Sequence, residues 1–152
     1  MSLVIQSADP SQSRLLSRLA QRSKAHWGYS AEFIQACKHE LTYTAQSINK
    51  EITFVAWCDG EILGFYQLVG MNPLKGELEA LFIEPQQIGS GVGKRLFTHA
   101  MNQAGQAGFK QVLIQSDPYA EMFYLKMGCV KVGEKPSLSI PGRVLPLLIF
   151  TV

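Results

Sequence analysis

This sequence has few charges and no concentrated basic region. Charged residues make up 17% of its 152 residues, and its net charge at pH 7 is +2. The longest strictly basic run is the pair Lys94–Arg95. A nucleic-acid-binding surface needs clustered basic side chains that neutralise phosphates. We therefore expect no nucleic-acid partner.

Cysteine is also scarce, and long apolar runs are missing. Cys37, Cys58 and Cys129 are odd in number and lack Cys-x-x-Cys spacing, which favours reduced thiols over a disulfide framework or a zinc site. The N-terminus lacks the pattern of a signal peptide, and no apolar run reaches the roughly 20 residues that a membrane helix needs. We expect a soluble, cytoplasmic protein with no membrane partner.

What is present suits one α/β domain over residues 1–152. Hydrophobic residues make up 47% of the chain, enough to build a core at this length. The apolar periodicities predict the order β-α-α-β-β-β-α-β-α-β-β. Asp59-Gly60 predicts a tight hairpin between strands at residues 52–58 and 62–69. The expected fold is a mixed sheet with helices on both faces.

Local signals place several other elements. Asp9, followed by Pro10, is expected to cap the first helix, and Ser30 the second. A strand at residues 77–84 contains the apolar run at residues 81–83, which predicts burial on both faces.

A glycine-rich turn follows that strand. Residues 89–93 read Gly-Ser-Gly-Val-Gly and open a helix with an apolar stripe at Val92, Leu96, Ala100 and Ala104. Glycine lets the backbone approach a ligand, and the free N–H groups at a helix start attract phosphate. The turn therefore predicts a phosphate site. The alternative is a tight strand-to-helix turn without a ligand.

Two familiar phosphate-binding motifs do not match this turn. A P-loop needs glycine at position 88 and a hydroxyl residue at position 95, where Ile88 and Arg95 stand. The dinucleotide fingerprint Gly-x-Gly-x-x-Gly, read from Gly89, fails because Lys94 occupies the position of its last glycine.

Two motifs together resemble the GCN5-related N-acetyltransferase (GNAT) superfamily. Residues 88–93 are similar to its Gln/Arg-x-x-Gly-x-Gly/Ala loop, with Ile88 in place of Gln or Arg. Residues 117–128 are similar to its Asn-x-x-Ala-x-x-Phe-Tyr-x-x-x-Gly pattern, with Asp117 in place of Asn. The resemblance covers residues 52–152 and extends more loosely over the first 50.

The resemblance implies a mostly antiparallel sheet of six or seven strands and a splayed strand pair that holds acetyl-CoA, with no metal. The pantetheine arm would lie between residues 81–83 and 112–115 and bond to the backbone of Phe82 and Ile83. The diphosphate would rest on residues 89–94. The implied cofactor-binding residues are Leu81, Phe82, Ile83, Ile88, Gly89, Ser90, Gly91, Val92, Gly93, Lys94, Asp117, Ala120 and Phe123.

The resemblance further implies direct acetyl transfer to a primary amine within a ternary complex, with a small-molecule amine favoured over a protein or peptide amine. Tyr124 would be the general acid at the cofactor sulfur. Candidates for the base are Glu77 and Glu79, which share one face of a strand, His26, and water. The alternative function is a non-catalytic CoA-binding sensor or interaction protein.

The acceptor pocket has weaker signals. Trp27 and Tyr29 are candidates for its wall because aromatic loop residues are costly to expose, although such residues also close cores. Arg143 is either a bidentate ligand for a substrate carboxylate or an ordinary surface arginine. His39 and His99 are expected on helix surfaces. The sequence leaves open whether the chain forms a homodimer.

Overall fold

The fold is built on one seven-stranded sheet in the computed structural model, which describes residues 2–152. The strand order is β1-β2-β3-β4-β5-β7-β6, and every neighbouring pair is antiparallel except β4 and β5. This arrangement confirms the predicted mixed, mostly antiparallel sheet. The strands are β1 (Val4–Ser7), β2 (Ile52–Cys58), β3 (Glu61–Asn72), β4 (Lys75–Ile83), β5 (Gln111–Gln115), β6 (Val130–Pro136) and β7 (Val144–Thr151).

Helices cover both faces of the sheet. None of them, within residues 2–152, is long and apolar enough to cross a membrane. Short 3₁₀ turns at Pro10–Gln12, Pro85–Gln87 and Pro118–Ala120 accompany the helices. The α-helices are α1 (Ser13–Ala25), α2 (Ala31–Ala36), α3 (Ala45–Lys50), α4 (Val92–Gln106) and α5 (Glu121–Lys126).

Capping side chains set where the N-terminal helical segments begin. The Asp9 carboxylate accepts from the Ser11 N–H at 2.8 Å, and the Ser30 hydroxyl accepts from the Phe33 N–H at 3.1 Å. Both predicted caps are therefore confirmed. Asp9, however, caps the 3₁₀ turn that leads into α1.

Helix α3 was not predicted from the sequence. Thr44 and Ser47 cap it by exchanging side-chain and backbone hydrogen bonds of 3.0 and 3.1 Å. Only Ile48 of its six residues is buried. A helix this short shows no apolar stripe, so periodicity gives no signal for it.

Strand β3 separates the two cores of the molecule. Its neighbouring residues Phe65 and Tyr66 are both fully buried, but their side chains point to opposite faces. Phe65 packs with Leu16 and Leu19 of α1, and Tyr66 packs in the core that contains Leu96 of α4. The alternation of a strand thus gives each helical layer its own core.

A bulge in β4 positions the functional cleft. Gln67 lies opposite Ala80 and Leu68 opposite Leu78, so Glu79 is an extra residue in β4. The extra residue reverses the alternation, which places Leu78 in one core and Ala80 in the other.

Next to this bulge, β4 and β5 separate. Residues 75–77 of β4 pair with residues 111–113 of β5, and pairing ends there. Leu81, Phe82 and Ile83 are half-buried. The predicted burial on both faces is wrong, because β5 has left the edge of β4 where these residues lie.

We expect replacement of Leu16 by Ala to lower the free energy of unfolding by about 3 kcal/mol, since it opens a cavity in the α1 core. Its neighbour Leu15 is 57% exposed and is the matched control. Leu15→Ala should change the stability by no more than about 0.5 kcal/mol. Urea unfolding followed by circular dichroism measures both. Equal losses would contradict the packing of α1 described above.

Candidate active site

The separation of β4 from β5 opens a cleft of about 630 Å³. Strand β4, the glycine-rich turn and the segment from β5 into α5 form its walls. Most of the residues predicted from the sequence line this one cleft: Trp27, Glu77, Glu79, Leu81, Phe82, Ile83, Ile88, Gly89, Gly91, Gly93, Lys94, Asp117, Ala120, Phe123, Tyr124 and Arg143.

Four candidates do not line the cleft. The Val92 side chain is fully buried in the α4 core, and the Ser90 hydroxyl donates to the Gln87 carbonyl at 2.6 Å. Tyr29 lies behind Arg143 and bonds to it. His26 is exposed and contacts the edge of the Trp27 ring, outside the cleft lining.

The glycine-rich turn presents unpaired N–H groups. Within residues 89–94, which the structure describes, only the Ser90 N–H has a protein acceptor, the Gln87 carbonyl. The other five N–H groups have none: those of Gly89, Gly91, Val92, Gly93 and Lys94. Gly89 and Gly91 have φ of +86° and +95°, a backbone conformation that other residues rarely adopt. At the start of α4 these donors suit a diphosphate. Ile88 adds no polar group here.

The free edge of β4 offers further backbone groups. The Glu84 N–H donates to the Leu63 carbonyl of β3 at 2.8 Å. Since backbone groups alternate in direction along a strand, Phe82 also bonds toward β3, while Leu81 and Ile83 direct their groups into the gap. The expected backbone contact of Phe82 with a ligand does not agree with this register. The backbone groups that face the gap are those of Leu81 and Ile83, of which the Ile83 N–H donates to the Ser23 hydroxyl at 3.4 Å, and Phe82 contributes its ring to the cleft lining.

Tyr124 reaches the cleft from within the α4 core. Its ring contacts those of Phe97 and Phe123, at centroid distances of 6.0 and 5.2 Å, and the residue is 7% exposed. Burial raises the pKa of Tyr124 well above its ordinary value, with smaller contributions from Cys129 and Asp117. The phenol is therefore protonated at neutral pH and available as a proton donor.

Two glutamates mark the point where the strands part. Glu77 is the last residue of β4 that pairs with β5. Its carboxylate accepts from the side-chain amide of Gln115, further along β5, at 3.2 Å. Glu79 occupies the bulge. Burial, followed by the charge of Glu77 and then those of Glu40 and Glu51, raises the pKa of the Glu79 carboxyl. A raised pKa makes this carboxylate a better proton acceptor near neutral pH.

Asp117 links three separate segments on one side of the cleft. Its carboxylate accepts from Lys24 at 3.0 Å, from Arg143 at 3.3 Å and from the Tyr29 hydroxyl at 3.1 Å. Arg143 also donates to the Tyr29 oxygen at 2.7 Å. Burial, followed by the Asp117 charge, raises the pKa of Tyr29 to about 12, so this hydroxyl remains a donor.

Aromatic stacking completes this side. The Trp27 and Tyr119 rings lie nearly parallel, with centroids 5.4 Å apart, and the Tyr29 and Phe33 rings stack at 4.1 Å. The Arg143 guanidinium lies 5.0 Å from the Phe33 centroid, within cation–π distance. Trp27 thus faces the cleft while Tyr29 is part of the support behind it.

Two sequence expectations are corrected here. Arg143 is not an ordinary surface arginine, because its side chain is only 15% exposed and is paired with Asp117. His99 is not simply a surface residue, because its Nδ1 lies 2.8 Å from the Tyr66 hydroxyl in the sheet core. His39 is exposed as expected.

Other cleft residues carry no recognisable signal in the sequence. Lys24, Glu40 and Tyr43 line the cleft from α1 and from the loop between α2 and α3. They belong to no motif, and only the folding of these segments over β4 brings them there. Among residues 2–152, no three His, Cys, Asp or Glu side chains are grouped closely enough to hold a metal ion.

Comparison with known proteins points to one family. The sequence model of the acetyltransferase (GNAT) domain matches residues 13–137. The peptidyl-lysine N-acetyltransferase YjaB of Salmonella typhimurium is 38% identical over 81 residues, which are 53% of this chain and 54% of that protein. The match therefore spans about half the length of this curated relative.

Solved structures share the fold over the whole chain. The PaiA N-acetyltransferase of Thermoplasma acidophilum, in complex with coenzyme A, superposes with a TM-score of 0.82 at 20% identity and covers 100% of both chains. Ard1 of Thermoplasma volcanium superposes with a TM-score of 0.76 at 18% identity, covering 100% of this chain and 99% of its own.

We expect Asp117→Asn to lower the free energy of unfolding by about 2 kcal/mol, because Lys24 and Arg143 lose their shared counter-charge. Glu84→Gln is the matched control, since Glu84 pairs bidentately with Arg22, whose side chain is 52% exposed. That change should cost less than about 1 kcal/mol. Thermal and urea unfolding measure both, and equal costs would show that Asp117 does not anchor the three segments.

Proposed function

This chain belongs to the acetyltransferase (GNAT) family, and we propose that it is an acetyl-CoA-dependent N-acetyltransferase acting on a primary amine. The observation that supports this most directly is the gap between β4 and β5, which runs from a turn of unpaired N–H groups to the Tyr124 phenol. A long, thin ligand with a diphosphate at one end and a thioester at the other matches this shape and these donors.

The residues present suit coenzyme A along the length of the cleft. The N–H groups of residues 89–94 would hold the diphosphate, each charge-assisted bond contributing on the order of 1.5–3 kcal/mol. The backbone groups of Leu81 and the carbonyl of Ile83, whose N–H donates to Ser23, would bind the amides of the pantetheine arm, as an added strand would. Lys94, which lines the cleft beside this turn, adds a positive charge near the phosphates.

The chain's own groups then handle the protons of the transfer. Acetyl-CoA supplies the activated acyl group. The amine nitrogen forms a bond to the thioester carbonyl carbon, the carbon–sulfur bond breaks, and the departing sulfur takes the proton of the Tyr124 hydroxyl. Tyr124 suits this role because burial keeps its phenol protonated until the sulfur develops charge.

Glu79 is the proposed general base. Its raised pKa and its position in the bulge allow it to accept the proton that the amine loses, directly or through water. Glu77 is held by Gln115, and its charge is one of the causes of the raised Glu79 pKa.

Direct transfer without a covalent enzyme intermediate agrees with the state of the cysteines. Cys37, Cys58 and Cys129 are all buried. Burial raises the pKa of Cys129, which neighbours Tyr124, to about 11. A thiol with such a pKa is protonated at neutral pH and is a poor nucleophile. The amine therefore attacks the thioester itself.

We propose a small-molecule amine as the acceptor. Segments from α1, from the α2–α3 loop and from the β6–β7 loop all line the cleft opposite β4 and β5. Such walls suit a compact acceptor better than an extended chain. The name of the Salmonella relative describes an enzyme that acts on peptidyl-lysine, so a peptide amine is the acceptor class to test beside it.

We expect Tyr124→Phe to lower kcat on the order of 10²-fold, because the leaving sulfur loses its proton donor. Release of free thiol from acetyl-CoA across a panel of amines measures the rate, and calorimetry with coenzyme A checks that binding is retained. Tyr66→Phe is the matched control, since Tyr66 is a fully buried tyrosine of the sheet core that lies outside the cleft.

Three outcomes would contradict this function at different levels. An unchanged rate in Tyr124→Phe removes Tyr124 from the mechanism. Binding of coenzyme A without thiol release for any amine indicates the non-catalytic CoA-binding sensor. No heat with coenzyme A, together with binding of a different ligand at residues 89–94, refutes the proposal as a whole.

We expect kcat/KM to fall as the pH is lowered through a value above the ordinary glutamate pKa of about 4.3. The reason is that Glu79 has a raised pKa and accepts a proton only in its charged form. A hydrazide acceptor, unprotonated over this range, keeps the amine's own titration out of the profile. Glu79→Gln should remove this acid limb, and the exposed Glu134→Gln should not. An acid limb that persists in Glu79→Gln would assign the base elsewhere.

A further inference from the structure

The acceptor end of the cleft carries carboxylates without cationic partners. Glu40, Glu77 and Glu79 all line the cleft, and none of them forms an ion pair with any other residue in 2–152. The two cationic side chains that line the opposite wall, Lys24 and Arg143, are both paired with Asp117. Lys94, the third cationic side chain of the lining, belongs to the glycine-rich turn, so no cation is paired with Glu40, Glu77 or Glu79 at the acceptor end.

The side chain of Tyr43 lines the cleft together with these carboxylates. Tyr43 is 5% exposed, and its ring contacts Phe65 and Phe82 at centroid distances of 5.1 and 6.5 Å. Its hydroxyl has no hydrogen-bond partner among residues 2–152. That part of the chain holds no fully enclosed side-chain oxygen without a partner, so the hydroxyl opens to the cleft that the residue lines together with Glu40 and Glu79. Burial, followed by the charges of Glu79 and Glu40, raises the Tyr43 pKa.

Acetyl transfer to a simple amine does not use all of these groups. The reacting nitrogen is neutral when it attacks, and a single carboxylate suffices to take its proton. Carboxylates that line one cleft without counter-charges repel one another, and this repulsion is costly. Their cost is offset if the acceptor brings a second positive charge. An acceptor with a carboxylate would instead be repelled.

We propose that the acceptor is a small diamine or polyamine whose second ammonium group is held by the Glu40 carboxylate and the Tyr43 hydroxyl, while Glu79 acts on the reacting amine. This proposal rests on the proposed acetyltransferase function and names its substrate class. An ammonium group has three donors, and the Glu40 carboxylate and the Tyr43 hydroxyl oxygen can accept from two of them. One amine is thereby anchored while the other reaches the thioester beside Tyr124.

The test compares acceptors of one chain length that differ in a single end group. Free-thiol release is measured with 1,5-diaminopentane, 1-aminopentane and 5-aminopentanoate. We expect kcat/KM to be on the order of 10-fold higher for the diamine than for the monoamine, and the aminopentanoate to be the poorest. The advantage of the diamine should shrink with added salt, because salt screens the partly exposed charges.

Variants then locate the second ammonium site. Glu40→Gln and Tyr43→Phe should each reduce the diamine-to-monoamine ratio of kcat/KM several-fold, mainly through KM. The matched control is Glu32→Gln, an exposed glutamate of α2 that does not line the cleft. It should leave the ratio unchanged. Calorimetry of the diamine with the CoA-loaded protein gives a second readout, in which Glu40→Gln should weaken binding.

The failures are distinguishable. If the monoamine is as good as the diamine, or if both variants keep the wild-type ratio, this inference falls and the acetyltransferase function stands. If a lysine-containing peptide is clearly preferred to the free diamine, the carboxylates serve a peptide and the inference is overturned. If no amine releases thiol, the proposed function fails and this inference fails with it.

Discussion

The early separation of β4 from β5 is the constraint on which the rest of the molecule depends. Parallel pairing covers only residues 75–77 of β4. The bulge at Glu79 then reverses the side-chain alternation of the strand. A continuous sheet at this point would bury Leu81 and Ile83 against a neighbour and leave no cleft. The unpaired edge instead keeps its backbone groups available to an extended ligand.

The charges along this cleft are divided between its ends, and that division underlies its proposed chemistry. Backbone N–H groups at the start of α4 provide a site for an anion without burying a charged side chain. At the other end, Glu79 and its carboxylate neighbours favour a cation. Between these ends, Asp117 pairs with both Lys24 and Arg143. Neither cation is therefore paired with the carboxylates proposed to bind the acceptor. Burial of Tyr124 keeps its phenol protonated, as its proposed role as proton donor requires.

Much of the fold and the cofactor end of the site could be predicted from local sequence. The Asp59-Gly60 hairpin, the caps at Asp9 and Ser30 and the stripe of α4 depend on neighbouring residues, and each is confirmed. Helix α3 escaped prediction because six residues with one buried side chain have no detectable periodicity. No local pattern indicates that Arg143 is paired, because its partners Tyr29 and Asp117 lie far from it in the chain.

By itself the sequence determined the order of the elements and the glycine-rich turn, because turn chemistry, capping and apolar periodicity act over a few residues. Only the tertiary structure decided which side chains form the acceptor end, and why residues 81–83 are half-buried. Those features depend on a bulge in β4 and on the packing of the loop that carries Tyr43 over the strand. Contacts of that kind join segments tens of residues apart, and no short pattern encodes them.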